Sequence, residues 1–154
     1  MAAEVLQLAT AVEDSMFIQS WLYELLHPTL CSLDLLKIDP RQFIPCEGCT
    51  DCNDAYEVLI KAASPTLSNR SLTLFVSMLR EAKQNGSIRS WVWMDTRDML
   101  ANGLTKIEED GTLDMTLMNK VMSTNFFEPS YPYKKDGIMR TPANRKAIRI
   151  ASLS

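Results

Sequence analysis

A single histidine, five glycines and no apolar run of about 18 residues set the first limits on this 154-residue chain. With one histidine, Ser/His/Asp or Cys/His catalysis has only His27 as its base. His27 stands before Pro28 at the end of a helical pattern, where it reads as a carbonyl cap or a solvent-facing ring. The glycines are too scattered for a phosphate-cradling loop of the P-loop or dinucleotide kind. Without a long apolar run, no membrane partner is expected. The opening MAAEVLQLATAVED has no basic stretch ahead of an apolar one and carries acids early, so it does not read as a signal peptide. Four cysteines in that setting point to free thiols in a reducing, intracellular compartment, cytoplasm or nucleus.

What is present is ordinary in amount and uneven in placement. Apolar residues make up 46% and charged residues 23%, values of a soluble globular protein with enough material for one core. The net charge is −3, but residues 128–154 hold six bases against Glu128 and Asp136, a net of +4, which leaves −7 on residues 1–127. The expected division is therefore a folded body over 1–127 and a basic, proline-containing, flexible tail over 128–154. A basic tail on an acidic body is also compatible with nucleic-acid contact.

Along the chain, Val5, Leu8, Ala9, Val12, Met16, Leu22, Leu25 and Leu26 recur at helical spacing and predict a long helix over 3–26, stopped by Pro28. Residues 29–42 read as a connection. A short strand is expected within 43–51, with a bulge or a late start because Pro45 and Gly48 interrupt it. Helices follow over 53–63 and 71–84, separated by the loop SPTLSNR, the second ended by Asn85-Gly86. SIRSWVWM, residues 87–94, alternates and predicts a strand. Thr96 caps an expected helix through RDMLANGLTK. A last helix is expected over 113–125, with Met115, Met118 and Met122 as a packing stripe. The fold class is α/β: a parallel βαβ remainder with a long N-terminal helix. Two strands alone leave one face of that helix without a partner, which predicts self-association through it.

Cys46, Cys49 and Cys52 form two overlapping CxxC pairs. An iron–sulfur run needs a fourth cysteine soon after, and none follows. Zinc needs Cys31 or His27 as a further ligand, so the favoured reading is thiols packed around a strand end. Trp91 and Trp93 share one strand face, as sheet packing or as a platform for bases.

Several segments together resemble a known family. AEVLQLATAV is similar to the AEYxALxxAV helix of the ribonuclease H domain in copia-type retrotransposon Pol polyproteins. Trp21-Leu22 in FIQSWLYELL resembles the WLxxLL that follows it. TDCNDAYEVL looks like the family's DN or DC strand-to-helix junction, and TRDMLANGLTK like its closing TEEQLADxxTK. The resemblance covers residues 3–106 in the family's order. It implies a ribonuclease-H-like fold, here truncated with its first three strands absent, and a parent activity of metal-dependent hydrolysis of RNA in RNA–DNA hybrids. By the same resemblance Glu4 and Asp51 are the catalytic and Mg²⁺-binding carboxylates, and Asn102 takes the position of a family aspartate. Asp98, one helical turn before Asn102, or Asp95 is a candidate to replace part of that missing charge. Lys61 and Arg70 flank the loop after the Asp51 helix, and the resemblance implies a basic residue near Arg70 beside the hybrid, so both are the expected nucleic-acid-binding residues. Two magnesium ions about 4 Å apart need several hard carboxylate oxygens. With Asn102 neutral and the first family aspartate absent, the expectation is a chain that is inactive or only binds nucleic acid. The alternative is a small non-enzymatic interaction module that docks through its first helix and holds zinc on its cysteines.

Overall fold

Alanine and leucine dominate Ala2–Leu26, glycine and proline are missing from it, and Glu4 sits favourably in its first turn. These residues form α1, closed by the His27 N–H, which donates to the carbonyls of Tyr23 and Glu24 at 3.1 and 3.2 Å. The His27 ring lies 4.4 Å from that of Tyr23. Val5, Leu8, Ala9, Gln19 and Tyr23 are buried. On the opposite side Phe17, Ile18, Trp21 and Leu25 are about half exposed or more, Phe17 at 74%. α1 is thus apolar on both faces in its second half.

The computed structural model describes residues 2–29, 37, 39, 41, 43–61, 70–105, 107, 111–141 and 148–149. It is mixed α/β and divides into two compact units, Met1–Val92 and Trp93–Ser154, a boundary different from the 127/128 division expected from charge. Most of the 29–42 connection and all of residues 62–69 lie outside the described residues.

In the first unit α1 is followed by β1 (Glu47–Thr50), α2 (Asn53–Ile60), α3 (Arg70–Gln84) and β2, which begins at Ser90. α1 packs chiefly on α3, and also on α2 and β1. β1 and β2 are neighbours, and their contacts advance in step, the pattern of a parallel pair. The Arg89 N–H donates to the Cys46 carbonyl at 2.7 Å. Ser90 Oγ then donates to Glu47 Oε1 at 2.9 Å, and Gly48 lies flush against the ring of Trp91. A side chain at 48 has no room, so the glycine that interrupts the strand pattern is what lets a buried tryptophan lie across it. Tyr56, Leu59, Val76, Leu79, Ile88 and Trp91 complete the core.

Strand boundaries are narrower than the sequence pattern. β1 occupies four residues of the expected 43–51, and β2 ends at Trp93 and omits 87–89. Past α3, Gly86 turns the chain at φ +84°. The Asn85 side-chain oxygen accepts from the N–H and the hydroxyl of Ser87 at 3.0 and 2.8 Å, a turn that uses up residues read as strand. α2 stops at Ile60. Arg80 Nη2 donates to the carbonyls of Val58 and Lys61 at 2.6 Å each and satisfies that helix end.

The second unit departs further from expectation. RDMLANGLTK is not one helix: a 3-10 turn over Thr96–Asp98 breaks off, and α4 is a single turn, Asn102–Thr105. The cap is Asp95 rather than Thr96, its carboxylate accepting from the Arg97 N–H at 3.0 Å. α5 covers Thr116–Thr124, later than 113, because Leu113 bridges to Ile107 and Asp114 accepts from the Thr116 N–H. Met115 therefore falls outside the helix, Val121 is its buried residue, and Met122 is 71% exposed, so the methionines are not a packing stripe.

The stretch expected as a flexible tail is folded in part. β3 (Phe126–Phe127) pairs antiparallel with β6 (Ile148–Arg149). β4 (Tyr133–Lys135) and β5 (Ile138–Arg140) make an antiparallel hairpin. Asp136 and Gly137, both at positive φ, form its two-residue turn, matching the twist of the strands. Phe127, Tyr133, Val121 and Met94 are buried here. Among the described residues no helix is long and apolar enough to cross a membrane.

Candidate functional site

Asp51 stands exposed immediately beyond the carboxyl end of β1. Thr50 is buried, and its hydroxyl oxygen accepts from the Cys52 N–H at 3.1 Å, so the chain turns sharply around Asp51. Cys52 then opens α2, its carbonyl receiving the Tyr56 N–H at 3.1 Å. A carboxylate is thus held at the junction of a strand end and a helix start. In α/β sheets, ligands bind outside the carboxyl ends of strands.

The other candidates vary in how they relate to it. Glu4 is half-buried in the first turn of α1, the helix that packs beside β1. Lys61 caps α2 and pairs with Glu57 at 3.5 Å, with most of its side chain in solvent. Arg70 is the exposed first residue of α3. Asn102 belongs to the second unit, where its side-chain amide donates to the Thr96 carbonyl and ties the 3-10 turn to α4. Among the described residues no three of His, Cys, Asp and Glu converge closely enough to hold a metal ion.

Neither substitute carboxylate stands open to a cation. Asp95 forms a two-pronged pair with Arg97, Oδ1 to Nε at 2.8 Å and Oδ2 to Nη2 at 2.9 Å. Hydrogen bonds from the Arg97 side chain and then its backbone N–H lower the Asp95 carboxyl from 3.8 to about 2, against a smaller opposing effect of desolvation. The same pair raises Arg97 above its ordinary value. Asp98 is 2% exposed, and both of its oxygens are engaged. The Ser130 N–H reaches Oδ1 at 2.9 Å and Oδ2 at 2.8 Å, and the Tyr131 N–H reaches Oδ2 at 2.8 Å. Arg97 lies 3.5 Å above the Tyr131 ring, closing the arrangement from outside. Asp98 is thus a backbone latch. Sequence reading had no local signal for it, since its partners lie 32 and 33 residues on.

Cys46, Cys49 and Cys52 are half-buried, and none of them forms a disulfide among the described residues. Cys46 lies just before β1, Cys49 within it, and Cys52 beyond the turn at Asp51, where α2 opens. Of the two tryptophans, Trp91 is 1% exposed and packs on Gly48, which excludes it as a base platform. Trp93 is half-buried, with Lys134 Nζ 5.4 Å from its ring. No family model, no curated protein and no solved structure matches the chain.

Proposed function

We propose that the chain is a ribonuclease-H-like segment of a copia-type retrotransposon Pol polyprotein, that it binds RNA–DNA hybrids, and that these 154 residues by themselves do not cut them. The observation that carries the reading is the position of Asp51, exposed where a strand meets a helix, in the order helix, strand, helix, helix, strand. The quoted motifs fall on those elements: AEVLQLATAV on α1, TDCNDAYEVL on the β1–α2 junction, and TRDMLANGLTK after β2. Lys61 and Arg70 supply exposed cations for phosphates. Glu4 and Asp51 with neutral Asn102 bring too little charge to hold two magnesium ions, which is why cleavage is not assigned.

The experiment is a fluorescence-anisotropy titration of a short RNA–DNA hybrid, repeated over a salt series and paired with a gel assay for Mg²⁺-dependent cleavage. Binding is expected to weaken steeply with salt, and Arg70→Ala to reduce the log–log slope by about 1. No binding at low salt overturns the nucleic-acid reading. A Mg²⁺-dependent cut that disappears in Asp51→Asn overturns the assignment as a non-cutting chain.

A further inference from the structure

The side of α1 that meets α3 leaves a groove of about 250 Å³ in the first unit. Val12 and Leu79 line it, and Met16 and Met78 flank it at 42% and 47% exposure. Methionines at such a place adapt to varied apolar shapes. One carboxylate from each helix, Glu13 and Glu81, also lines the groove. Both residues are exposed, and neither side chain has a hydrogen bond or ion pair among the described residues. An apolar trough lined by two exposed carboxylates, with the Arg41 guanidinium that reaches the lining residue Ser87 already paired to Asp39, has a definite complement: an apolar side chain with cations beside it.

Charge also selects among the occupants. α1 contains Glu4, Glu13, Asp14 and Glu24 and no lysine or arginine. A second α1 laid along the first would set like charges against each other, which opposes the self-association expected from the exposed apolar residues. A nucleic acid is repelled by the same charges. We propose that the groove between α1 and α3 docks a basic amphipathic helix of a protein partner, one apolar residue seated between Met16 and Met78 and Lys or Arg side chains reaching Glu13 and Glu81. This is recognition of an amphipathic helix in a groove, with the charged rim setting specificity and approach rate. It goes beyond the nucleic-acid reading and does not rest on it.

The test uses the full chain and two designed helical peptides, both with leucines at i, i+3, i+4 and i+7. One carries lysine at the remaining positions and the other glutamate, and binding is read by anisotropy at physiological ionic strength. The lysine peptide is expected to bind and its glutamate twin not to. Glu13→Lys with Glu81→Lys is expected to weaken binding at least tenfold. The shape-conserving pair Glu13→Gln and Glu81→Gln is expected to weaken it less, in the same direction. Asp54→Lys, on α2, is expected to leave it unchanged. The proposal is overturned if both double variants bind like the parent, or if Asp54→Lys weakens binding as much as they do. It is also overturned if sedimentation finds a dimer whose formation excludes the peptide, because a second copy then occupies the groove.

Discussion

Replacing Asp98 by alanine should unlatch the segment around Ser130 and destabilise the second unit. The carboxylate is 2% exposed and receives two backbone donors through three contacts of 2.8 to 2.9 Å. Hydrogen bonds to a charged acceptor contribute about 1.5–3 kcal/mol each, so two donors set a gross loss of about 3–6 kcal/mol. Alanine also removes a carboxylate whose burial itself costs several kcal/mol, so the net loss is smaller, about 2–4 kcal/mol. With a urea m-value of about 1.5 kcal/mol/M, that is a midpoint shift of about 1.3–2.7 M. Asp98→Asn keeps one acceptor oxygen in nearly the same shape, and should cost about half as much. Urea melts followed by tryptophan fluorescence and by circular dichroism measure the shift and test whether the two units unfold together. Amide exchange at Ser130 and Tyr131 locates it. If Asp98→Ala leaves the midpoint within about 0.3 M and both amides as protected as before, Asp98 is not a latch, and the argument from its hydrogen bonds fails.

Gly48→Ala should destabilise the first unit by about 2–3 kcal/mol or more, because its methyl group would fall inside the ring of Trp91, which is 1% exposed and cannot step aside. A thermal melt checks this, and Trp91→Leu in the same chain should recover part of the loss by opening space. The Asp95 carboxyl should titrate near pH 2 by NMR and return towards its ordinary 3.8 in Arg97→Gln. Because the folded value is depressed, the contribution of the pair is fully present above about pH 4 and is lost as pH falls through about 2. A midpoint unchanged by Arg97→Gln would show that the guanidinium is not its cause.

How much of this was open to sequence reading depends on the range of the interactions. α1 and α3 follow from helical spacing together with Pro28 and Asn85-Gly86, all local features. The late start of β1 follows from Pro45, and the place of Asp51 follows from a strand and a helix meeting there. The 96–106 segment misled because its periodicity is helical while Asp98 is drawn towards Ser130 and Tyr131, a contact with no local trace. The β4–β5 hairpin had its signal in Asp136-Gly137, but strands of three residues are too short for alternation to register. The CxxC spacing carried no trace of the actual layout, in which Cys46 precedes β1, Cys49 lies in it and Cys52 opens α2.

The first unit is proposed to carry two surfaces of opposite preference, and α3 sets the distance between them. Arg70 opens that helix and Glu81 lies eleven residues on, about 16 Å along its axis. The Debye length is about 8 Å at physiological ionic strength and about 30 Å at 0.01 M. At physiological salt a nucleic acid held at Arg70 and Lys61 is therefore insensitive to the carboxylates of the α1–α3 groove, whereas at low salt it is repelled by them. Glu13→Gln with Glu81→Gln should strengthen hybrid binding several-fold at about 0.01 M salt and leave it unchanged at about 0.15 M. An equal gain at both concentrations would place the nucleic acid on the groove itself and merge the two surfaces into one. No gain at either would remove the hybrid from the Arg70 end of α3, leaving Asp51 as a strand-end carboxylate without a polyanion beside it.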